Sequence, residues 1–113
     1  MRQKLCHLNE LDDPGSRGFA LELDNDDDLL LFLVKKDGQV YGYKNKCPHA
    51  GVNLEWQPDD FLNLEKALIQ CSMHGAQFMI ESGRCISGPC NGDYLDSIEL
   101  EIDETGDIYF LGQ

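Results

Sequence analysis

The stretch LLLFLVKKDGQVYGYKN, Leu29 to Asn45, sets two apolar runs on either side of Asp37-Gly38. Asp-Gly supplies the positive φ values that a tight hairpin turn needs, so the two runs pair as antiparallel strands. AQFMIESGRCI repeats the arrangement around Ser82-Gly83, and YLDSIELEIDETGDIYFL repeats it around Thr105-Gly106. Within SIELEI the period is two: Ile98, Leu100 and Ile102 share one face, Glu99 and Glu101 the other. Arg2 to Leu8 and Gly18 to Leu23 alternate more loosely and read as half-buried strands. DDFLNLEKAL reads as one short helical turn or a loop. Short strands joined by glycine turns predict an all-β chain, an antiparallel sandwich or barrel-like fold. At 113 residues and 42% hydrophobic content, one domain with one core is expected over 1–113.

Charge narrows the function. The formal net charge is −12, which argues against nucleic acid as a partner. Residues 1–28 hold 3 basic and 8 acidic groups, net −5; residues 29–84 hold 6 and 6; residues 85–113 hold 7 acidic groups and no basic one. The acidic flanks read as solvated faces that aid solubility, or as a docking patch for a basic partner. No apolar run approaches the ~20 residues of a membrane span. The opening MRQKLCHLNELDD turns polar after Leu8 and holds no apolar signal core, so a soluble, cytoplasmic protein is expected. Five cysteines in such a chain favour metal or redox work over a disulfide framework.

Two Cys/His pairs stand out. NKCPHAGVNL carries Cys47-x-His49 beside Gly51, and IQCSMHGAQF carries Cys71-x2-His74 beside Gly75, with 21 residues between the pairs. Each pair falls at a tip between predicted strands. Two thiolates and two imidazoles on converging tips make a four-ligand metal site. Structural zinc accepts two Cys and two His, though a zinc finger puts both Cys before both His. A [2Fe–2S] centre with mixed ligation takes two ligands per iron, and each tip can give one Cys and one His.

CPHAG and CSMHG at this spacing closely resemble the ligand motifs of the Rieske [2Fe–2S] ferredoxins, and the downstream SGRCISGPC is similar to that family's Gly-Pro loop. The resemblance implies a Rieske fold of small antiparallel sheets, with a cluster-binding subdomain, about 45–90, inserted in a β base. It implies that Cys47 and Cys71 hold the inner iron and His49 and His74 the outer one. Gly88 and Pro89 would cover one [2Fe–2S] cluster per chain. Two ferric ions, two sulfides and two thiolates sum to zero charge with neutral His, against −2 for an all-Cys cluster. Such a centre takes an electron more readily than a plant-type ferredoxin.

Departures from the pattern indicate the kind of Rieske protein. Cytochrome bc-type members carry an extra, disulfide-linked Cys in each ligand loop, where this chain has Val52 and Met73. They also carry a Ser and a Tyr that donate to cluster sulfurs, where this chain has Ala76 and Phe78. Without those donors the potential is expected near the low end of the Rieske range, about −150 mV. Only His7 remains outside the motifs, too few for a mononuclear oxygenase iron, so no substrate chemistry is expected from the chain alone. The expected role is a one-electron carrier between a flavin-dependent reductase and an oxygenase or other redox enzyme. The alternatives are an accessory subunit, like the Rieske-fold subunit of assimilatory nitrite reductase, and a zinc-stabilised interaction domain.

Other residues read plainly. His7 and Cys6 belong to the first strand, and Trp56 covers core. Met73 shields the cluster. Asp24 to Asp28 is a solvated turn. Cys85 and Cys90 read as one packed strand Cys and one loop Cys, rather than a redox pair.

Overall fold

The computed structural model describes residues 3–22, 28–46, 54, 59–63, 65–71, 75–88 and 92–112. Among the described residues nine strands run β1 (Gln3–His7), β2 (Gly15–Glu22), β3 (Asp28–Lys36), β4 (Gln39–Lys44), β5 (Leu68–Gln70), β6 (Gln77–Met79), β7 (Cys85–Ser87), β8 (Glu99–Ile102) and β9 (Asp107–Gly112). They form three antiparallel three-stranded sheets, ordered β1-β9-β8, β2-β3-β4 and β5-β6-β7. The third sheet lies wholly within residues 68–87.

β3 explains why its sequence is a continuous apolar run rather than an alternation. Leu31 and Leu33 are fully buried with Cys6, Leu11, Leu21, Ile98, Ile108 and Phe110. Phe32 and Val34 point the other way and are fully buried with Tyr43, Leu54, Phe61, Ile69, Cys71 and Phe78. A strand covered on both faces has no polar side to present. Its hairpin to β4 turns at Asp37 (φ 53°) and Gly38 (φ 79°), both left-handed, as the Asp-Gly pair predicts. The Asp13 carboxylate accepts both turn amides, from Asp37 and Gly38, at 2.8 Å each.

The other two hairpins also form where their glycines stand, with Gly83 at φ 74° and Gly106 at φ 94°. Two local expectations change and one open choice is settled. β2 starts at Gly15, not Gly18, because β3 extends to give Gly15 a partner in Lys35. Ile98 is buried and Leu100 half-buried, but Ile102 is 43% exposed. It ends an edge strand beside the β8–β9 turn, beyond the reach of the core, and the register of β8 slips between Glu99 and Leu100. The Asp59-to-Leu68 stretch forms no helix among its described residues. Asn63 Oδ1 accepts from the amides of Ala67 and Leu68, a local side-chain bond that competes with helix. Phe61 from this stretch stacks on Phe32 at 4.3 Å.

His7 is structural. Its Nδ1 accepts from the Asn9 amide while Glu10 accepts from the His7 amide, capping a 3₁₀ turn at Leu8–Glu10. With Nδ1 accepting, Nε2 carries the hydrogen and donates to the Thr105 carbonyl.

Tyr43 ties the second sheet to the third: its hydroxyl donates to the Ile80 carbonyl at 2.6 Å. A Cβ on Gly83 would lie 2.8 Å from the Tyr43 ring, so the hairpin closes over the phenol. Burial pushes the phenol up to about 12, with repulsion from Tyr41 and Glu81 adding to it. Tyr43→Phe is expected to cost about 1 kcal/mol of unfolding free energy at neutral pH. The raised value also sets a sign. The unfolded phenol ionises near pH 10 and the folded one near 12, so stability is intact below about 10 and falls as pH rises between them. Urea titrations across that window should show this alkaline loss in the wild type, and a smaller one in Tyr43→Phe.

Candidate metal centre

The four residues expected to bind metal are only partly visible: Cys71 is described, whereas Cys47, His49 and His74 lie outside the described residues. So do Val52, Trp56, Met73, Pro89, Cys90 and Asp24 to Asp27. What the structure gives is the frame from which each motif springs.

The second motif leaves the end of β5. Cys71 is fully buried among Leu54, Ile69, Ala76 and Phe78. Its amide donates to the Ala76 carbonyl at 2.8 Å, and the Gly75 amide donates back to the Cys71 carbonyl at 3.1 Å. Gly75 takes φ 65°, a left-handed turn that glycine enters without strain. The ends of the 71–76 connection are therefore joined main chain to main chain.

The first motif leaves β4. Asn45 is 7% exposed, and its amide donates to the Leu30 carbonyl at 2.9 Å. Its side-chain Oδ1 accepts from the Leu54 amide at 2.8 Å. Leu54 is fully buried in the same cluster as Cys71. The stretch 46–53, which carries Cys47 and His49, thus begins and ends at one point on that core.

The third stretch leaves β7. Cys85, fully buried in this cluster, donates its amide to the Asp93 carbonyl at 2.7 Å and accepts from the Gly92 amide at 3.0 Å. Its thiol donates to the Ser87 carbonyl at 3.3 Å. Gly88 takes φ 100°, and a Cβ there would lie 2.9 Å from Ala76 Cα. Gly88 thus packs closely on Ala76, the residue that follows the CSMHG motif.

The three motif-bearing stretches therefore share one buried apolar cluster as their base. This arrangement fits a mixed Cys/His centre. Cys71 lies in the dry interior, and Ala76 and Phe78 in the same cluster are fully buried and offer no hydroxyl. Among the described residues no three His, Cys, Asp or Glu side chains gather as another metal site. Of the cations in the 29–84 segment, Lys46, Lys66 and Arg84 are exposed and Lys44 is half-buried. Sequence reasoning missed Asn45 as the clamp on the first stretch, because its partner Leu54 stands nine positions away and a hydrogen bond leaves no periodic trace.

A family model described as Rieske [2Fe-2S] domain matches residues 1–100. No curated protein gives a match. Among solved structures, the ferredoxin of carbazole 1,9a-dioxygenase from Nocardioides aromaticivorans IC177 is similar at 20% identity and TM-score 0.74, covering 100% of this chain and 99% of that one. A chain in the complex of reduced oxygenase and oxidized ferredoxin in carbazole 1,9a-dioxygenase is similar at 23% identity and TM-score 0.74, covering 99% and 94%. A 2-oxoquinoline 8-monooxygenase component matches at 20% identity and TM-score 0.73, covering 99% of this chain and 26% of that one. At these identities the likeness is one of fold.

Gly88→Ala is expected to destabilise more than Gly92→Ala. Both glycines are left-handed, at φ 100° and 97°, so each alanine costs about 1 kcal/mol of backbone strain. Only at Gly88 does the new methyl meet backbone, at Ala76; at Gly92 nothing lies within 4 Å. Paired urea midpoints check this.

Proposed function

The chain belongs to the Rieske [2Fe–2S] domain family, and on that premise we propose that it carries single electrons from a flavin reductase to an oxygenase. The residues proposed to hold its cluster are Cys47 and Cys71 on the inner iron and His49 and His74 on the outer. The cluster, when bound, supplies a one-electron couple. The cluster-binding part is proposed to span about 45–90 within a single 1–113 domain.

One observation carries this reading: the stretches bearing both Cys/His pairs and the Gly-Pro segment are rooted in the same buried cluster, through Leu54, Cys71 and Cys85. A carrier needs its inner ligands dry and its outer ligands near the surface, so that reduction costs little reorganisation and a partner can approach. Burial of Cys71 supports the first requirement. The oxygenase as acceptor is supported by the similarity to a ferredoxin of a dioxygenase and to a chain from an oxygenase–ferredoxin complex. Among the described residues no helix is long and apolar enough to cross a membrane.

The protein's own residues set the potential. Ala76 and Phe78 are buried and lack hydroxyl donors. A donor to a cluster sulfur stabilises the added electron.

The first test is an electron paramagnetic resonance spectrum of the dithionite-reduced protein. A rhombic signal with average g well below that of all-Cys clusters is expected; a silent, colourless, zinc-containing protein overturns the proposal. The potential is expected at about −150 mV, and Phe78→Tyr or Ala76→Ser should move it positive. The six basic and six acidic groups of residues 29–84 balance, so electron transfer to the partner should depend only modestly on ionic strength. Stopped-flow rates that collapse between low and moderate salt contradict that docking mode.

A further inference from the structure

Asn45 is the one buried polar side chain among the described residues. Burying a carboxamide in an apolar cluster is costly unless it is hydrogen-bonded, so its place asks for a purpose. The three stretches that leave this core are joined at their bases in different ways. Those after Cys71 and Cys85 are joined by main-chain hydrogen bonds, Cys71 to Ala76 and Cys85 to Gly92 and Asp93, which any side chain tolerates. The stretch 46–53 is joined, among the described residues, through a side chain: Asn45 Oδ1 to the Leu54 amide at 2.8 Å. The Asn45 amide is meanwhile pinned to the Leu30 carbonyl at 2.9 Å, fixing the clamp to the end of β3.

We propose that Asn45 is a positioning residue for the cluster: its side chain clamps both ends of the stretch that carries Cys47 and His49, and so sets how firmly the cluster is retained. The inference rests on the ligand assignment proposed above. In that assignment each iron takes one ligand from each stretch, so a slack first stretch loosens both irons together rather than one. The residue type follows from the same geometry. Oδ1 must accept from a main-chain amide, which Asn and Asp can both do at the same reach. A carboxylate would add negative charge beside a centre that has to accept an electron, whereas the carboxamide is neutral.

The test compares iron release to a chelator from wild type, Asn45→Ala, Asn45→Asp and Asp13→Ala, with spectra and potentials of the reduced proteins. Asp13 makes a comparable side-chain clamp on the Asp37-Gly38 turn and serves as the control for general destabilisation. Asn45→Ala leaves the Leu54 amide unsatisfied and is expected to release iron about tenfold faster, with a broadened spectrum. Asn45→Asp keeps the acceptor, so it should retain iron within about twofold of wild type while its potential falls. Asp13→Ala should release iron at the wild-type rate even if its urea midpoint drops. The proposal is overturned if Asn45→Ala holds its cluster like the wild type, or if Asn45→Asp releases iron as fast as Asn45→Ala. Should Asn45→Ala not fold, Asn45→Ser takes its place against Asn45→Asp, with the same two outcomes. A wild type that shows no Cys/His signature removes the ligand assignment itself, a failure plainly different from an Asn45 variant that behaves like its parent.

Discussion

β3 is buried on both faces, and the rest of the molecule is arranged by that fact. Leu31 and Leu33 serve one core while Phe32 and Val34 serve the other, all fully buried. A single strand thereby joins the packing of the first sheet to the packing under the third. Its two edges pair with β2 and β4, so the main chain of Leu31 to Lys35 is laddered on both sides. Removing volume from Leu31 to Val34 would open a cavity in one core or the other, which is why these four residues are not interchangeable with polar ones.

The second core is also the base from which the three motif-bearing stretches leave. Tyr43 and the Gly83 turn fasten the third sheet onto it. Cys71, Leu54 and Cys85 then fix where three stretches leave and return. Elements of three residues, such as β5 to β7, have little stability of their own. Their placement comes from Phe78, Ile80 and Ile69 packed against Phe32 and Phe61. With the ligands proposed above, such a base couples ligand geometry to core packing, so core substitutions in this cluster should be felt at those residues before they unfold the chain.

Much of this was legible in the sequence. The three glycine turns gave three hairpins, and the ligand motifs identified the family that the match over residues 1–100 establishes. The misses share a cause. Ile102 sits on the apolar face of a period-two pattern yet is exposed, because periodicity reports facing and not depth at a sheet edge. β2 begins early because its length is set by its partner β3 rather than by its own residues. DDFLNLEKAL left a helical turn and a loop both open, and among its described residues it is a loop because Asn63 Oδ1 takes the amides of Ala67 and Leu68.

The sequence by itself determined the all-β class, the hairpin positions and the family, since these depend on residue type and local spacing. Only the tertiary structure decided which apolar residues face which core, and that Asn45, Cys71 and Cys85 root three distant segments in one cluster. Those choices rest on contacts between residues tens of positions apart, made by packing and hydrogen bonds that no local pattern encodes.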